Sequence, residues 1–280
     1  MRRTSGGGFL EGAISYAVLG TLALIVLFPF YWMIVTSFKS EDQMRSLVSM
    51  FWPSPFIWEN YQQLIAKTEF VSWYKNSVIV SVSSTLLATA IGTIGAYALA
   101  RLKFLGRGFM ASATLITYLV PPSILFIPLY AQIKNLGLSN SLYGLIATYP
   151  SFTVPFVTWL LMGYFESIPE ELEESAMIDG ATRFGAFYRI VLPLAAPGVL
   201  AAALYAFTQA WNEFLYSLVF ITDGRLRTLP VGLASFITGD VYGWGYLMAG
   251  AVLTTLPVIA AYIYLQKYMV EGLTAGSVKG

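Results

Sequence analysis

The 280-residue sequence contains no cysteine and no histidine. Disulfides, thiolate nucleophiles, Cys/His metal sites and the usual general base are thereby removed together. Charge is scarce too: 11% of residues are charged, where a soluble domain carries about a quarter. A chain so poor in charge cannot cover a water-facing surface. The net charge is +1 and the basic residues are scattered, not gathered into the patch that nucleic acid requires, so nucleic-acid binding is not expected. No Gly-x-x-x-x-Gly-Lys-Ser/Thr phosphate loop occurs, so the chain is expected to bind no cofactor of its own, and any ATP is held elsewhere.

What is abundant is apolar. Hydrophobic residues make up 57% and aromatic residues 16% of the chain. They recur in runs near the roughly 20 residues that cross about 30 Å of hydrocarbon as a helix. About six spans are expected: Ile14 to Thr36, Val78 to Leu99, Phe109 to Tyr130, Leu142 to Tyr164, Pro197 to Ile221 and Tyr246 to Leu265. The first follows Arg2 and Arg3 but exceeds a secretory core of roughly 7 to 15 residues, so it reads as a retained membrane helix. Between spans one and two, the Trp- and Pro-rich loop from Lys39 to Lys75 is expected to hold short interfacial pieces.

Arg101, Lys103 and Arg107 crowd the short turn between spans two and three, which places that turn in the cytoplasm. An even span count then puts both termini there: residues 1–13 and a tail of residues 268–280 flank a permease domain over residues 14–267. Pro29, Pro121, Pro122, Pro128, Pro150, Pro155 and Pro257 fall inside spans, where each removes a backbone donor and tends to kink the helix. Span two carries Ser81, Ser83, Ser84, Thr85, Thr89, Gly92, Thr93 and Gly95, small residues that allow close helix approach and suit a helix buried among others.

The densest charge lies in residues 166–193. Ser167 and Glu170 have capping-box spacing, and Glu170, Glu171 and Glu173 fall in the first turn of a short helix expected to stop at Gly180. Leu172, Ser175, Ala176 and Asp179 recur at helical spacing and form a small, partly apolar face opposite Glu170 and Glu174, suited to a groove on another protein. Ala181-Thr182 then leads into a second helical stretch toward Ile190.

These residues resemble the EAA loop of permeases in bacterial binding-protein-dependent ABC importers: Glu-Ala-Ala, three residues, Gly, nine residues, Ile-x-Leu-Pro. Here the pattern is Glu174-Ser175-Ala176, Gly180, then Ile190-Val191-Leu192-Pro193, with Ser175 as the one departure. Trp211-Asn212-Glu213-Phe214 and the tail from Glu271 to Gly280 resemble the maltose-transporter-like, MalG-type branch. The resemblance implies an all-α membrane protein with the type I ABC importer transmembrane fold and a cytoplasmic coupling helix. It implies ATPase coupling through Glu170, Glu171, Glu174, Ser175, Ala176, Asp179, Gly180, Ala181, Ile190, Leu192 and Pro193, and a tail contact to the ATPase at Gly276 and Lys279. Implied partners are a MalF-like second permease, two ATP-binding subunits that carry ATP and Mg, an extracytoplasmic solute-binding protein, a sugar or sugar-derived substrate, and the bilayer of the bacterial inner membrane.

Glu213 is an ionisable group inside an expected span, which marks a site by default. Trp211, Asn212 and Glu213 are therefore candidates for the translocation path. The alternative role for Asn212 and Glu213 is hydrogen bonding between helices. An ion-coupled secondary transporter is the rival reading of the whole chain. It would be expected to show internal repeats and several intramembrane charges, and neither is evident. A membrane-embedded enzyme would need a nucleophile and base facing one cavity, and without Cys or His the usual pairings are missing.

Overall fold

Hydrocarbon offers a backbone no hydrogen-bond partner, so the apolar runs close their own bonds as helices. The computed structural model describes residues 6–46, 51–238 and 241–275. Gly276 and Lys279 of the expected tail contact lie outside the described residues. In chain order the helices are α1 (Gly6–Ser37), α2 (Glu41–Arg45), α3 (Glu59–Lys67), α4 (Phe70–Arg101), α5 (Arg107–Leu119), α6 (Pro122–Asn135), α7 (Leu142–Thr148), α8 (Pro150–Ser167) and α9 (Glu170–Ile178). They continue with α10 (Arg183–Ala186), a π-helical turn at Phe187–Val191, α11 (Leu192–Leu194), α12 (Ala196–Trp211), α13 (Leu215–Phe220), α14 (Leu229–Ala234) and α15 (Trp244–Ala275). One short antiparallel pair, β1 (Ile237–Thr238) with β2 (Val241–Tyr242), precedes α15.

Four stretches are long and apolar enough to cross a membrane: Gly12–Ser37, Phe70–Arg101, Leu142–Ser167 and Trp244–Gln266. Two bent helix pairs meet the same test together, so the count is four, or up to the six expected where each pair is one broken span. Neither of those two is the single helix the sequence suggested. The expected span Phe109 to Tyr130 breaks between α5 and α6 with a 99° bend. Pro121 and Pro122 cause it, because each lacks a donor and forces the residue before it out of helical geometry; Val120 and Pro121 both have extended ψ, 120° and 127°. The expected span Pro197 to Ile221 ends early at Trp211, with α13 restarting beyond Phe214, and a 76° bend lies just ahead of it, where α12 follows α11. Pro193 and Pro197 flank that bend at Ala195. Span two begins at Phe70, ahead of the Val78 read from hydropathy.

By contacts the chain divides into two units, residues 1–68 with 233–255 and residues 69–232 with 256–280. In the first, most of α1 from Ile14 to Phe30 exposes apolar side chains, Leu24 by 72%, a surface for lipid or another membrane helix to cover. The end of α1 is fastened by α3: Asn60 Nδ2 donates to the carbonyls of Ser37 and Lys39 at 2.9 and 2.8 Å, satisfying groups a helix terminus leaves open. Phe38 stacks on Phe56 at 4.1 Å, and Ser40 forms a capping box with Gln43 at the start of α2.

In the second unit, α4, α8 and α12 pack around Ala88, Ala96, Tyr97, Val157, Leu161, Phe165, Ala202 and Ala206, all buried. Span two is buried as its small residues suggested: Ser81, Ser84, Gly92 and Thr93 are covered. A Cβ on Gly92 would lie 2.4 Å from Val157 Cγ1, so only glycine lets α4 approach α8 this closely. At the far end of α4, Trp73 Nε1 donates to the Gly224 carbonyl at 2.7 Å and Asn76 Nδ2 to those of Arg225 and Arg227, strapping down the loop before α14.

Candidate functional site

The acidic loop folds as the short helix α9, but not with the expected cap. Ser167 stays inside α8 and donates to the Tyr164 carbonyl at 2.7 Å, while Pro169 occupies the N-cap position without a side-chain bond. The residue before a proline is disfavoured in helical geometry, and Ile168 is accordingly extended, so the turn Ser167 would have capped starts after it. The far end forms as read. Gly180 has φ +92°, Ala181 N–H donates to the Ala176 carbonyl at 3.0 Å and Gly180 N–H to that of Met177 at 3.1 Å. These are the two bonds of a Schellman stop. Thr182 Oγ1 then accepts from Gly185 N–H at 3.1 Å and caps α10.

One face of α9 is clamped to the end of α4. Glu173 is 4% exposed; its carboxylate accepts from Tyr97 Oη and faces Arg101 Nε at 3.6 Å. Arg101 also donates to the Ile168 carbonyl and lies 3.5 Å from Glu170, whose side chain is largely exposed. Arg107 pairs with Glu166 at 4.0 Å. The basic turn expected in the cytoplasm and the acidic loop expected there thus sit together. Glu173 and Arg101 were missed as a pair because in the sequence Glu173 is one carboxylate in a solvated-looking run and Arg101 one of three topology signals.

The other face of α9 is open. Glu171, Leu172, Glu174, Ser175 and Asp179 are exposed, Ile178 is 85% exposed, and Ala176 is half-buried. Phe184 and Tyr188 of the following stretch are also exposed, which adds aromatic surface to the small face expected from Leu172, Ser175 and Asp179. Their signal was available: large apolar residues in a charged segment too short to span. Ile190 and Leu192 are half-buried, Leu192 against the α4–α8–α12 core, and Pro193 is exposed at the bend leading to α12. The last three therefore shape the return of the chain, apart from α9 itself. A cleft of about 500 Å³ lies beside α9, lined by Arg101, Lys103, Glu170, Glu173, Glu174 and Arg183 among others.

The Trp211-Asn212-Glu213-Phe214 stretch is a helix break. Trp211 is buried, parallel to Phe207 and edge-on to Tyr74; Asn212 is exposed and donates to the Thr208 carbonyl. Glu213 accepts from Tyr149 Oη at 2.8 Å and from the backbone N–H groups of Tyr216 and Ser217 at 2.8 and 3.1 Å. Its carboxylate thus starts α13 and ties it to α8, complementing the positive end of a helix dipole.

Residues 78–274 match the family described as "Binding-protein-dependent transport system inner membrane component". Among similar proteins are the inner membrane ABC transporter permease protein YcjP of Escherichia coli, 37% identical over 95% of each chain, and the trehalose/maltose transport system permease protein MalG of Thermococcus litoralis, 38% identical over 92% of this chain and 94% of that one. The diacetylchitobiose uptake permease DasC of Streptomyces coelicolor is 36% identical over 91% of this chain and 92% of its own length. In fold the chain resembles a subunit of a bacterial ABC transporter involved in the import of alginate, with TM-score 0.81 at 23% identity, covering 96% of this chain and 99% of that one.

Proposed function

We propose a function from the premise that this chain belongs to the family of binding-protein-dependent transport system inner membrane components: it is a permease subunit that forms half of the pathway of an ATP-driven sugar importer. Similar proteins named as permeases for trehalose, maltose and diacetylchitobiose support a sugar or sugar-derived substrate. The other half comes from a MalF-like permease, the solute arrives on an extracytoplasmic binding protein, and ATP with Mg is turned over on two ATP-binding subunits. The end of the chain that holds α9 and the basic turn faces the cytoplasm, with both termini on that side.

The observation that carries this reading is the two-sidedness of α9. Its buried side is fixed to α4 by Arg101, Glu173 and Tyr97, while its other side, from Leu172 through Ser175 to Ile178, is exposed. A helix held rigidly from behind and bare in front transmits a push from a docked partner into the spans. Nucleotide binding and release on that partner then rock the spans so that a midplane cavity opens to either side in turn.

The test is to replace Glu174 with Lys and, separately, Gly180 with Val. The first reverses a charge on the exposed face. The second puts a β-branched side chain at φ +92°, a conformation that costs an L-residue about 1–2 kcal/mol. Both variants are expected to assemble with their partners while solute-stimulated ATP hydrolysis collapses. Normal transport in both contradicts the coupling role, and uptake that follows an ion gradient and ignores ATP supports the secondary-transporter alternative.

A further inference from the structure

Tyr and Trp, apolar rings with one polar edge, settle at the level of a bilayer where headgroups meet hydrocarbon. The apolar stretch of α1 runs over Gly12–Ser37, 26 residues, or about 39 Å at 1.5 Å per residue. That length matches a bilayer of about 40–45 Å including both headgroup layers, of which about 30 Å is hydrocarbon. Tyr31 and Trp32 lie about 7–9 Å before Ser37, and so fall where the headgroup layer gives way to hydrocarbon.

The segment at residues 51–58 returns to that level. Tyr31 Oη donates to the Phe51 carbonyl, and the Phe51 ring meets Trp32 edge-on at 6.2 Å. At the other end of the segment, Phe56 and Trp58 pack on Phe38, just past the end of α1. The backbone between is held in place: Ile57 N–H donates to the Phe38 carbonyl at 3.0 Å, Gln43 Nε2 donates to the Pro55 carbonyl at 2.9 Å, and Pro53 is buried. The segment thus slopes from the end of α1 down to Trp32. Its sequence, Phe-Trp-Pro-Ser-Pro-Phe-Ile-Trp, carries no charge. Phe51, Phe56 and Trp58 are exposed, and Trp52 is 68% exposed. Charge returns only on the flanking helices, at Glu41, Asp42 and Arg45 of α2 and Glu59 of α3, all exposed. An aromatic patch of this kind is rarely left in water. It is also continuous with the exposed apolar surface of α1 through Phe28, whose ring lies 6.0 Å from Trp32.

We propose that residues 51–58 form a wedge seated in the headgroup layer of the extracytoplasmic leaflet, with Phe51 and Trp52 as its deepest side chains, so that lipid fixes the depth at which α1 stands. The choice of leaflet rests on the importer topology; the contact with lipid does not.

Because the chain has no cysteine, Trp52→Cys and Arg45→Cys each introduce its single thiol. Each variant is purified with its partner subunits, spin-labelled and returned to vesicles of phosphatidylethanolamine and phosphatidylglycerol. Collision with oxygen, which concentrates in lipid, is compared with collision with a water-soluble nickel chelate. The label at residue 52 is expected about 5–10 Å below the phosphates, the depth of interfacial side chains, and the label at residue 45 in water. A label at 52 that meets nickel as freely as the one at 45 overturns the wedge. So does a label shielded from nickel only after the solute-binding protein is added, which assigns the surface to that protein. Should Trp52→Cys fail to assemble, Trp52→Phe reads the same contact by fluorescence: lipids brominated high on their acyl chains should quench wild type more than Trp52→Phe, and equal quenching overturns the wedge. A membrane-impermeant maleimide decides the side. Arg45→Cys that labels only from the cytoplasm overturns the leaflet and the importer topology together, while contact with lipid is judged by the nickel alone.

Discussion

Removing the guanidinium of Arg101 should loosen α9 far more than any other single change to its charges. In Arg101→Met, Glu173 would stay 4% exposed and keep its bond from Tyr97 Oη but lose the guanidinium 3.6 Å away, and the Ile168 carbonyl would lose its Arg101 donor. Stranding one member of a buried ion pair costs about 3–5 kcal/mol. At about tenfold per 1.4 kcal/mol, the open population of α9 rises by between roughly a hundredfold and a few thousandfold. Glu170 is the control: its side chain is 60% exposed, so its pair with Arg101 is worth about 0–1 kcal/mol and Glu170→Ala should change little. Adding Glu173→Gln to Arg101→Met removes the stranded charge and should recover part of the loss. Hydrogen exchange of amides 173–179 in the purified complex reads the opening directly. Exchange in Arg101→Met that matches wild type, or Glu170→Ala that opens the helix as much, would refute the clamp.

Two further outcomes follow from packing and capping. Gly92→Leu forces a side chain into space where Val157 Cγ1 would lie 2.4 Å from the new Cβ, so α4 and α8 must separate; overpacking of this kind costs about 1–3 kcal/mol, read as a lower melting temperature of the detergent-solubilised complex. Glu213→Ala removes the cap of α13 and leaves Tyr149 Oη without its acceptor, a loss of about 1–2 kcal/mol, whereas Glu213→Gln keeps an acceptor oxygen and should retain most thermal stability and transport.

Much of this molecule is legible in its sequence because hydropathy and the loop motif are local signals. Apolar helices long enough to cross a membrane, a buried second span and a glycine stop at Gly180 follow from residue types at fixed spacing. What was not legible depends on a neighbour that spacing alone ignores or on partners distant in the chain. Ser167 with Glu170 satisfies the spacing of a capping box, but Pro169 dictates the backbone ahead of it and the box does not form. Pro121 and Pro122 announce a disturbance; whether a proline pair kinks a helix or turns it by 99° is decided by packing such as the Tyr216 bond to Pro122. Glu213 carries the opposite lesson. An acidic residue inside an apolar run draws attention as a transport group, yet its carboxylate is occupied by three donors from Tyr149, Tyr216 and Ser217.

The most direct measurement places one thiol on the bare face of α9. With Ile178→Cys in this cysteine-free chain, a short bifunctional thiol reagent should join the chain to an ATP-binding subunit in native membranes, and nucleotide should change the yield. A thiol at residue 178 that reacts only from the extracytoplasmic side, or that joins to no nucleotide-binding subunit, would contradict the account.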